Sequence, residues 1–228
     1  FRGAWRFTPD GGSAGGGSTG GSTGGSSGGS SSGGGGGSSS TTTTKPEATT
    51  KPDGTKVETT TKPDGSSVTE STAPNGSTGT VKTDKDGKTE AAAKLSDKAI
   101  EDAKKNGEAV KAPVEVEATR NSSTAPTVSI ELPKGAGETK VEIPVSNANS
   151  GTIAVLVHPD GTEEVVKNSL PTENGIQLTV NGGATVKIVD NSKDFADTQN
   201  HWAKDAIDFV SARGLVNGMN ETTYAPDS

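Results

Sequence analysis

Between Phe7 and Phe195 the chain contains no aromatic residue, and this limits how any core in that span can be built. A core there must be made from Val, Ile, Leu and Ala. Apolar residues make up only 27% of the whole chain. Much of the chain therefore lacks the side chains that a packed core requires.

The N-terminal part of the chain is of low complexity. Residues 11–44 contain only Gly, Ser and Thr apart from Ala14. Burial of such side chains gains too little to offset conformational entropy, so we assign 11–49 as a disordered linker. Residues 1–10 would place Trp5 and Phe7 on one side of an extended segment. This suits the remnant of an upstream β domain, and an aromatic piece of linker is the alternative.

An 11-residue repeat occupies residues 50–95. It is marked by a turn dipeptide that recurs at the same spacing: Asp53-Gly54, Asp64-Gly65, Asn75-Gly76 and Asp86-Gly87. Such dipeptides favour type I′ turns, and the Thr-rich stretches between them favour strands. We therefore predict a polar antiparallel ribbon, separate from the core of the next domain. Each repeat has only about one Val, so the pattern leaves open whether the ribbon is a fixed sheet or a fluctuating one.

The end of the repeat is ambiguous, and a helix follows it. Residues 88–95 include Glu-Ala-Ala-Ala-Lys, which favours a helix, whereas the repeat favours a last strand. Ser96 is a good N-cap, and Gly107 is a good residue for the position after a helix. The sequence thus predicts a helix over 97–106 and leaves 88–95 open.

Residues 96–190 form the predicted globular part, a helix plus an antiparallel β domain. Aliphatic residues alternate with polar ones in six places: Val114/Val116, Val128/Ile130/Leu132, Val141/Ile143/Val145, Ile153/Val155/Val157, Ile176/Leu178/Val180 and Val186/Ile188. A period of two is typical of strands that bury one face. The predicted fold class is mainly β, a small antiparallel sandwich or roll, with the linker and ribbon before it.

Charge and composition exclude several kinds of function. The net charge of −7 and the lack of a basic patch argue against binding nucleic acid. There are no cysteines, and no cluster of His, Asp or Glu has the spacing of a metal site. Of the two histidines, His158 lies in a predicted turn and His201 at a helix start. We expect no catalytic residue, no metal, no cofactor and no membrane span.

The C-terminal residues carry the clearest motif. Residues 201–213 predict an amphipathic helix, and four landmarks surround it: Phe-x-Asp at 195–197, His-Trp-Ala at 201–203, Gly-Leu-Val-x-Gly at 214–218 and aromatic-x-Pro at 224–226. Residues 191–228 resemble the first half of an S-layer homology (SLH) module, and we assign them as a truncated module. A C-terminal helix that simply packs on the β domain is the other interpretation of the helix pattern alone.

The resemblance implies roles for particular residues and a partner. It implies a wall-polymer site that contains Trp202, Gly218 and Asp197, and within it Asp197 caps or positions the helix. It also implies a module core that contains Phe195, Ala206, Ile207 and Val210. The implied partner is secondary cell-wall polysaccharide, often pyruvylated, and further SLH modules would be needed for a full site.

These expectations combine into one functional prediction. The chain is expected to be a piece of a secreted bacterial surface protein, Gram-positive in type, that is anchored non-covalently in the cell wall or S-layer. A second hypothesis is that 96–190 is an adhesin or ligand-binding module that the anchor presents. A third is that the chain is the non-catalytic tail of a surface hydrolase.

Overall fold

The computed structural model describes residues 46–227, which fold into two β-sheets and two α-helices. The strands in chain order are β1 Glu47–Thr50, β2 Lys56–Thr61, β3 Ser67–Thr72, β4 Thr78–Thr83, β5 Thr89–Lys94, β6 Val110–Lys111, β7 Thr127–Glu131, β8 Glu138–Pro144, β9 Thr152–Val157, β10 Glu163–Val165, β11 Leu170–Pro171, β12 Gly175–Asn181 and β13 Ala184–Asp190. The helices are α1 Asp97–Asn106 and α2 Lys204–Ala212, with a short 3₁₀ helix at Ala196–Thr198. The prediction of a mainly β fold is confirmed.

The larger sheet has nine strands in the order β1-β2-β3-β4-β5-β7-β13-β9-β10, and the smaller has four in the order β11-β12-β8-β6. Most neighbours are antiparallel, as predicted, but β5–β7 and β6–β8 are parallel. Parallel neighbours need a crossover connection, and α1 and β6 lie on the one that joins β5 to β7. The antiparallel prediction is therefore wrong at these two pairs.

The predicted remnant at 1–10 and most of the predicted linker at 11–49 lie outside the described residues. The last linker positions are an exception, because β1 begins at Glu47 and pairs with β2, with Glu47 opposite Thr59. A hydrogen-bonded partner strand thus gives these polar residues a fixed conformation without any burial.

The repeat turns differ from the predicted type. Gly54 has a positive φ of 84°, whereas Asp53 does not have one, so only one central residue is left-handed. Pro52 precedes Asp53, and its ring fixes φ near −65°, which a type I′ turn cannot accept. The hydrogen bonds run from Gly54 N–H to Lys51 O at 2.9 Å and from Lys51 N–H to Thr55 O at 2.8 Å. This is a type I turn followed by a glycine bulge.

The expectation of a separate ribbon is wrong. We define the ribbon as β1–β4; it continues through β5 into the β domain, because β5 pairs with β7 over Glu90–Lys94 and Thr127–Glu131. Ala91, Ala93 and Leu95 alternate into the main core, and this burial decides the open segment 88–95 in favour of a strand. Helix propensity at the three alanines is thus overridden by tertiary packing.

The helix predicted at 97–106 is confirmed, and its cap also holds the ribbon. The Ser96 hydroxyl accepts the Ala99 N–H at 3.1 Å, and Gly107 follows the helix with φ 71°. The same hydroxyl donates to the carbonyl of Asn75 at 2.6 Å, and the Ser96 N–H donates to the buried Ser77 hydroxyl at 3.1 Å. The third repeat turn is therefore bonded to the start of α1.

The core lies between the two sheets and is aliphatic throughout. The core side chains point inward from both sheets. Those that are almost fully buried on the strands include Val128, Ile130, Val141, Ile143, Ile176, Leu178, Val186 and Ile188. Two of the predicted alternating residues, Ile153 and Val155, instead belong to a second cluster with Ala125, Val189 and Ala212. That second cluster positions the C-terminal residues of the chain.

The ribbon approaches the segment that continues β6 most closely at Gly79. A Cβ placed on Gly79 would lie 2.2 Å from the Pro113 carbonyl oxygen. No side chain fits at this distance, so glycine is required for the ribbon to lie over residues 111–117.

We predict that Gly79→Ala lowers the free energy of unfolding by about 1–3 kcal/mol, because the new methyl group must push the ribbon away from Pro113. Gly183→Ala is the matched control, since a Cβ there would meet only Ile130 O at 3.5 Å. Urea unfolding of the two variants measures the difference. Equal midpoints would contradict the close contact.

Candidate functional site

Residues 194–227, which we call the C-terminal module, pack against the larger sheet. Ala212 at the end of α2 contacts the cluster formed by Ala125, Ile153, Val155 and Val189. The Asn191 side-chain amide also donates to the Ala212 carbonyl at 2.6 Å. A small apolar contact and a hydrogen bond thus attach α2 to the β domain.

Arg213 makes the largest polar contribution to this attachment. Its side chain is 1% exposed, and Nε donates to the Ser169 carbonyl at 2.9 Å. Nη2 donates to the Thr152 carbonyl at 3.0 Å, and Nη1 donates to the carbonyls of Ser150 at 3.3 Å and Phe209 at 3.1 Å. The guanidinium carbon also lies 3.9 Å from the centre of the Phe209 ring, a cation–π contact.

Burial lowers the pKa of the Arg213 guanidinium to about 10, so it remains protonated at neutral pH. Carbonyl oxygens and an aromatic face supply the negative potential that a buried cation needs. As a charged residue, Arg213 falls on the polar side of the amphipathic pattern, and the pattern gives no indication of this role. The only sequence signal is its position four residues after Phe209 and directly before Gly214.

Part of the predicted apolar stripe of α2 faces outward, which differs from the prediction. Ile207 is buried, but Ala206 is exposed and Val210 is half-buried, so Ala206 is not part of a module core. Trp202, just before the helix, is 90% exposed. The reason is that the contacts of Ala212 and Arg213 determine which side of α2 faces the sheet. That side of the helix is partly polar.

The docked side of α2 buries two polar side chains. Asp208 Oδ2 accepts from Lys204 Nζ at 2.6 Å, whereas Asp208 Oδ1 and the Ser211 hydroxyl have no hydrogen-bond partner among the described residues. Buried polar atoms without partners reduce stability. The hydrogen bonds of Arg213 therefore offset the free-energy cost of burying these unpaired polar atoms on the docked face.

Asp197 holds a loop rather than the helix. Its carboxylate accepts the Tyr224 N–H at 3.0 Å and the Ala225 N–H at 2.6 Å. Ala225 has a φ of 64°, the left-handed region that disfavours residues with a Cβ, and the carboxylate stabilises that conformation. The expectation that Asp197 caps α2 is wrong, because the residue before the helix, Ala203, has no side-chain cap.

Phe195 is the centre around which the rest of the module packs. It is buried, and its ring centre lies 5.4 Å from that of Tyr224 at an interplanar angle of 51°. A Cβ on Gly218 would lie 2.5 Å from Phe195 Cε1, so Gly218 is small because an aromatic edge lies against it. Phe195 and Asp197 thereby both contact the same loop, 214–227, which contains Gly218.

Trp202 lies apart from that packing but near the loop. Its ring centre is 5.5 Å from that of His201 at an angle of 35°, and His201 Nε2 lies 3.3 Å from Asp227 Oδ1. With Trp202 exposed, these contacts leave a large apolar side chain available to a ligand. The other exposed large apolar residues of the module are Leu215, Val216 and Met219.

The remainder of the described structure offers little chemistry. Within residues 46–227, no three His, Asp or Glu side chains are grouped so that they could hold a metal ion. His158 lies in its predicted turn, with Nε2 3.4 Å from Glu164 Oε2. No helix in that range is both long enough and apolar enough to span a bilayer.

We predict that Arg213→Met detaches α2, because two segments of the β domain, residues 150–152 and Ser169, lose their hydrogen-bond donor. The expected loss of unfolding free energy is on the order of 2–4 kcal/mol. Arg120→Met is the control, since it removes an exposed ion pair, 2.8 Å from Asp194, that is worth little. Calorimetry and limited proteolysis between residues 190 and 195 measure the effect. Similar stability in both variants would show that Arg213 does not secure the module.

A second prediction concerns pH. The backbone N–H groups of Tyr224 and Ala225 lower the pKa of Asp197 from its ordinary value of 3.8. A carboxylate with a lowered folded pKa stabilises the fold above its unfolded pKa, and this contribution is lost as pH falls through the folded pKa. The Tyr224 and Ala225 amide resonances should therefore titrate together below pH 3.8, and Asp197→Asn should abolish that step. Amides that do not respond to acid would argue against the loop contact.

Comparison with known proteins bears on this module alone. Residues 194–228 match the family model of the S-layer homology domain. Searches of curated proteins and of solved structures gave no significant match. The predicted resemblance is confirmed: residues 194–228 are similar to an S-layer homology domain.

Proposed function

We propose that the protein attaches non-covalently to the bacterial cell wall through residues 194–228. The observation that carries this proposal is the match of those residues to the S-layer homology domain, a domain known for wall anchoring. In its finer form, the ligand is secondary cell-wall polysaccharide that carries pyruvyl groups. The protein would then be secreted and held at the surface of a Gram-positive type of cell.

Trp202 is the residue that we propose to contact the polymer. The Trp202 side chain is 90% exposed and so is not part of the core, although an indole ring is one of the largest apolar groups in the chain. An indole face can stack against the apolar face of a sugar ring. The helix is attached to the β domain by its other side, through Ala212 and Arg213, so the ring is presented from a supported position.

The shortage of free positive charge on residues 194–227 supports a requirement for further SLH modules in polymer binding. An anionic polymer favours cationic contacts, but Lys204 is paired with Asp208 at 2.6 Å and Arg213 is buried under the module. The described module therefore offers an apolar contact and little free positive charge. We propose that further SLH modules complete the site and that this module alone binds weakly.

The β domain and the ribbon would then present and space the anchor. We propose no catalytic role for the described residues. Their side chains are mainly hydroxyl, aliphatic or paired charged groups, and no acid, base and nucleophile are grouped among them. The strong attachment of α2 to the sheet favours a rigid connection between anchor and displayed domain.

The test uses beads that carry the whole chain at high density, so that many weak contacts act together. Wall fragments with their secondary polymer should be captured, and fragments stripped of that polymer should not. Trp202→Ala should reduce capture by at least about tenfold, which corresponds to about 1.4 kcal/mol. Because the ring is exposed, the unfolding free energy should change by less than about 0.5 kcal/mol.

Leu170→Ala is the matched control, since it removes an exposed apolar side chain from the β domain. It should leave capture unchanged. Equal capture of intact and stripped walls would contradict polysaccharide binding. Full capture by a folded Trp202→Ala variant would contradict the role of the indole.

A further inference from the structure

A cleft of about 630 Å³ opens between the ribbon and residues 111–117. We call it the ribbon cleft. One wall is the face of β2–β4 that looks toward the β domain, and the other is the chain that continues β6. Its volume lies within the range of about 300–1,000 Å³ that is usual for ligand sites. The cleft is separate from the C-terminal module.

Unpaired backbone donors line one wall. The N–H groups of Glu115 and Glu117 have no hydrogen-bond partner among residues 46–227, and both residues border the cleft. Their neighbours on the same segment are paired: Ala112 N–H donates to Glu142 O at 2.8 Å, and Val116 N–H donates to Pro144 O at 3.1 Å. The segment is thus bonded to β8 on one side and carries free donors beside the cleft.

The opposite wall combines hydroxyl and aliphatic side chains. The ribbon residues that line it are Thr55, Val57, Thr69, Ser71, Val81 and Thr83. Thr69 shares a hydrogen bond with Thr59 at 3.0 Å, so its hydroxyl is oriented within the sheet. Alternating small polar and β-branched side chains are the surface that one β-strand presents to another.

The charges at the rim are paired and do not favour an anion. Lys51 Nζ lies 3.0 Å from Glu115 Oε2, and Lys111 Nζ lies 3.9 Å from Asp53 Oδ2. Glu117 adds a further carboxylate. Free N–H groups beside carboxylates suit neutral acceptors such as peptide carbonyls better than phosphate or carboxylate groups.

Sugar chains are also a poor match. The lining contains no aromatic residue, so the cleft has no surface on which sugar rings could stack. A backbone edge with free N–H groups is what an extended peptide uses when it adds a strand to a sheet. We propose that the ribbon cleft binds an extended, uncharged polypeptide segment, which pairs with residues 115–117 and lies under the ribbon. This second binding activity is independent of wall attachment.

The test uses the whole chain and one probe, a capped heptapeptide in which threonine alternates with valine and serine. The amide resonances of Glu115 and Glu117 should shift on titration and become protected from hydrogen exchange. The same peptide with a central proline, which disrupts strand pairing, is the matched ligand control. It should bind at least about tenfold more weakly.

Two pairs of variants locate the contact. Val57→Trp fills the cleft and should abolish binding, whereas Thr60→Trp, on the opposite face of the same strand, should not. Glu115→Pro removes an N–H and should reduce binding at least about tenfold, whereas Glu115→Ala keeps that donor and should bind normally. Circular dichroism checks that each variant is folded.

Three results would overturn the proposal: no shift at these amides, equal binding of the two peptides, or equal binding by the folded Glu115→Pro and Glu115→Ala variants. Binding of a neutral oligosaccharide with the same amide shifts, in the absence of peptide binding, would assign the cleft to a different ligand class and would also overturn it.

Discussion

The parallel pairing of β5 with β7 is the interaction on which the rest of the structure depends. It joins a ribbon that has almost no core of its own to a sandwich that has one, so nine strands form a single sheet. Two- or three-stranded polar ribbons are marginal in water. Here Ala91, Ala93 and Leu95 of β5 and its C-terminal end contribute to the aliphatic core. Hydrogen bonds between β5 and β4, and then between successive ribbon strands, hold the rest of the ribbon in place. The ribbon cleft is a consequence, since only a fixed ribbon can lie over residues 111–117.

At the other end of the chain, Arg213 has the corresponding role. It bonds α2 to the carbonyls of two segments, residues 150–152 and Ser169, and thereby determines which side of the helix is buried. The buried side includes Asp208 and Ser211, and the apolar residues Trp202 and Ala206 remain outside. A large apolar side chain left exposed at the start of a docked helix is available for binding. This arrangement links the attachment of the module to the exposure of Trp202.

Local signals in the sequence were sufficient for some elements and insufficient for others. The bounds of α1 follow from Ser96 and Gly107, and the aliphatic strands follow from their period of two. The parallel pair β5–β7 could not be predicted, because it depends on a distant crossover and because the alanines of β5 favour a helix. The turn type was missed because proline at the first central position, present in the first three repeat turns, excludes the type I′ form. The docked face of α2 could not be predicted because periodicity identifies an apolar side of a helix but not the element that packs against it. In addition, no sequence pattern predicts that an arginine will be buried.

Native-state hydrogen exchange on the whole chain tests most directly whether residues 46–227 fold as one unit. The pairing of β5 with β7 and the contacts of Arg213 predict that amides of β4 and β5 open with the same free energy as those of β7 and β13. They also predict that amides at the centre of α2 open only a little more easily. If β1–β5 opened as a group at much lower free energy, with β7 and β13 still protected, the ribbon would be an independent unit and the account would be contradicted.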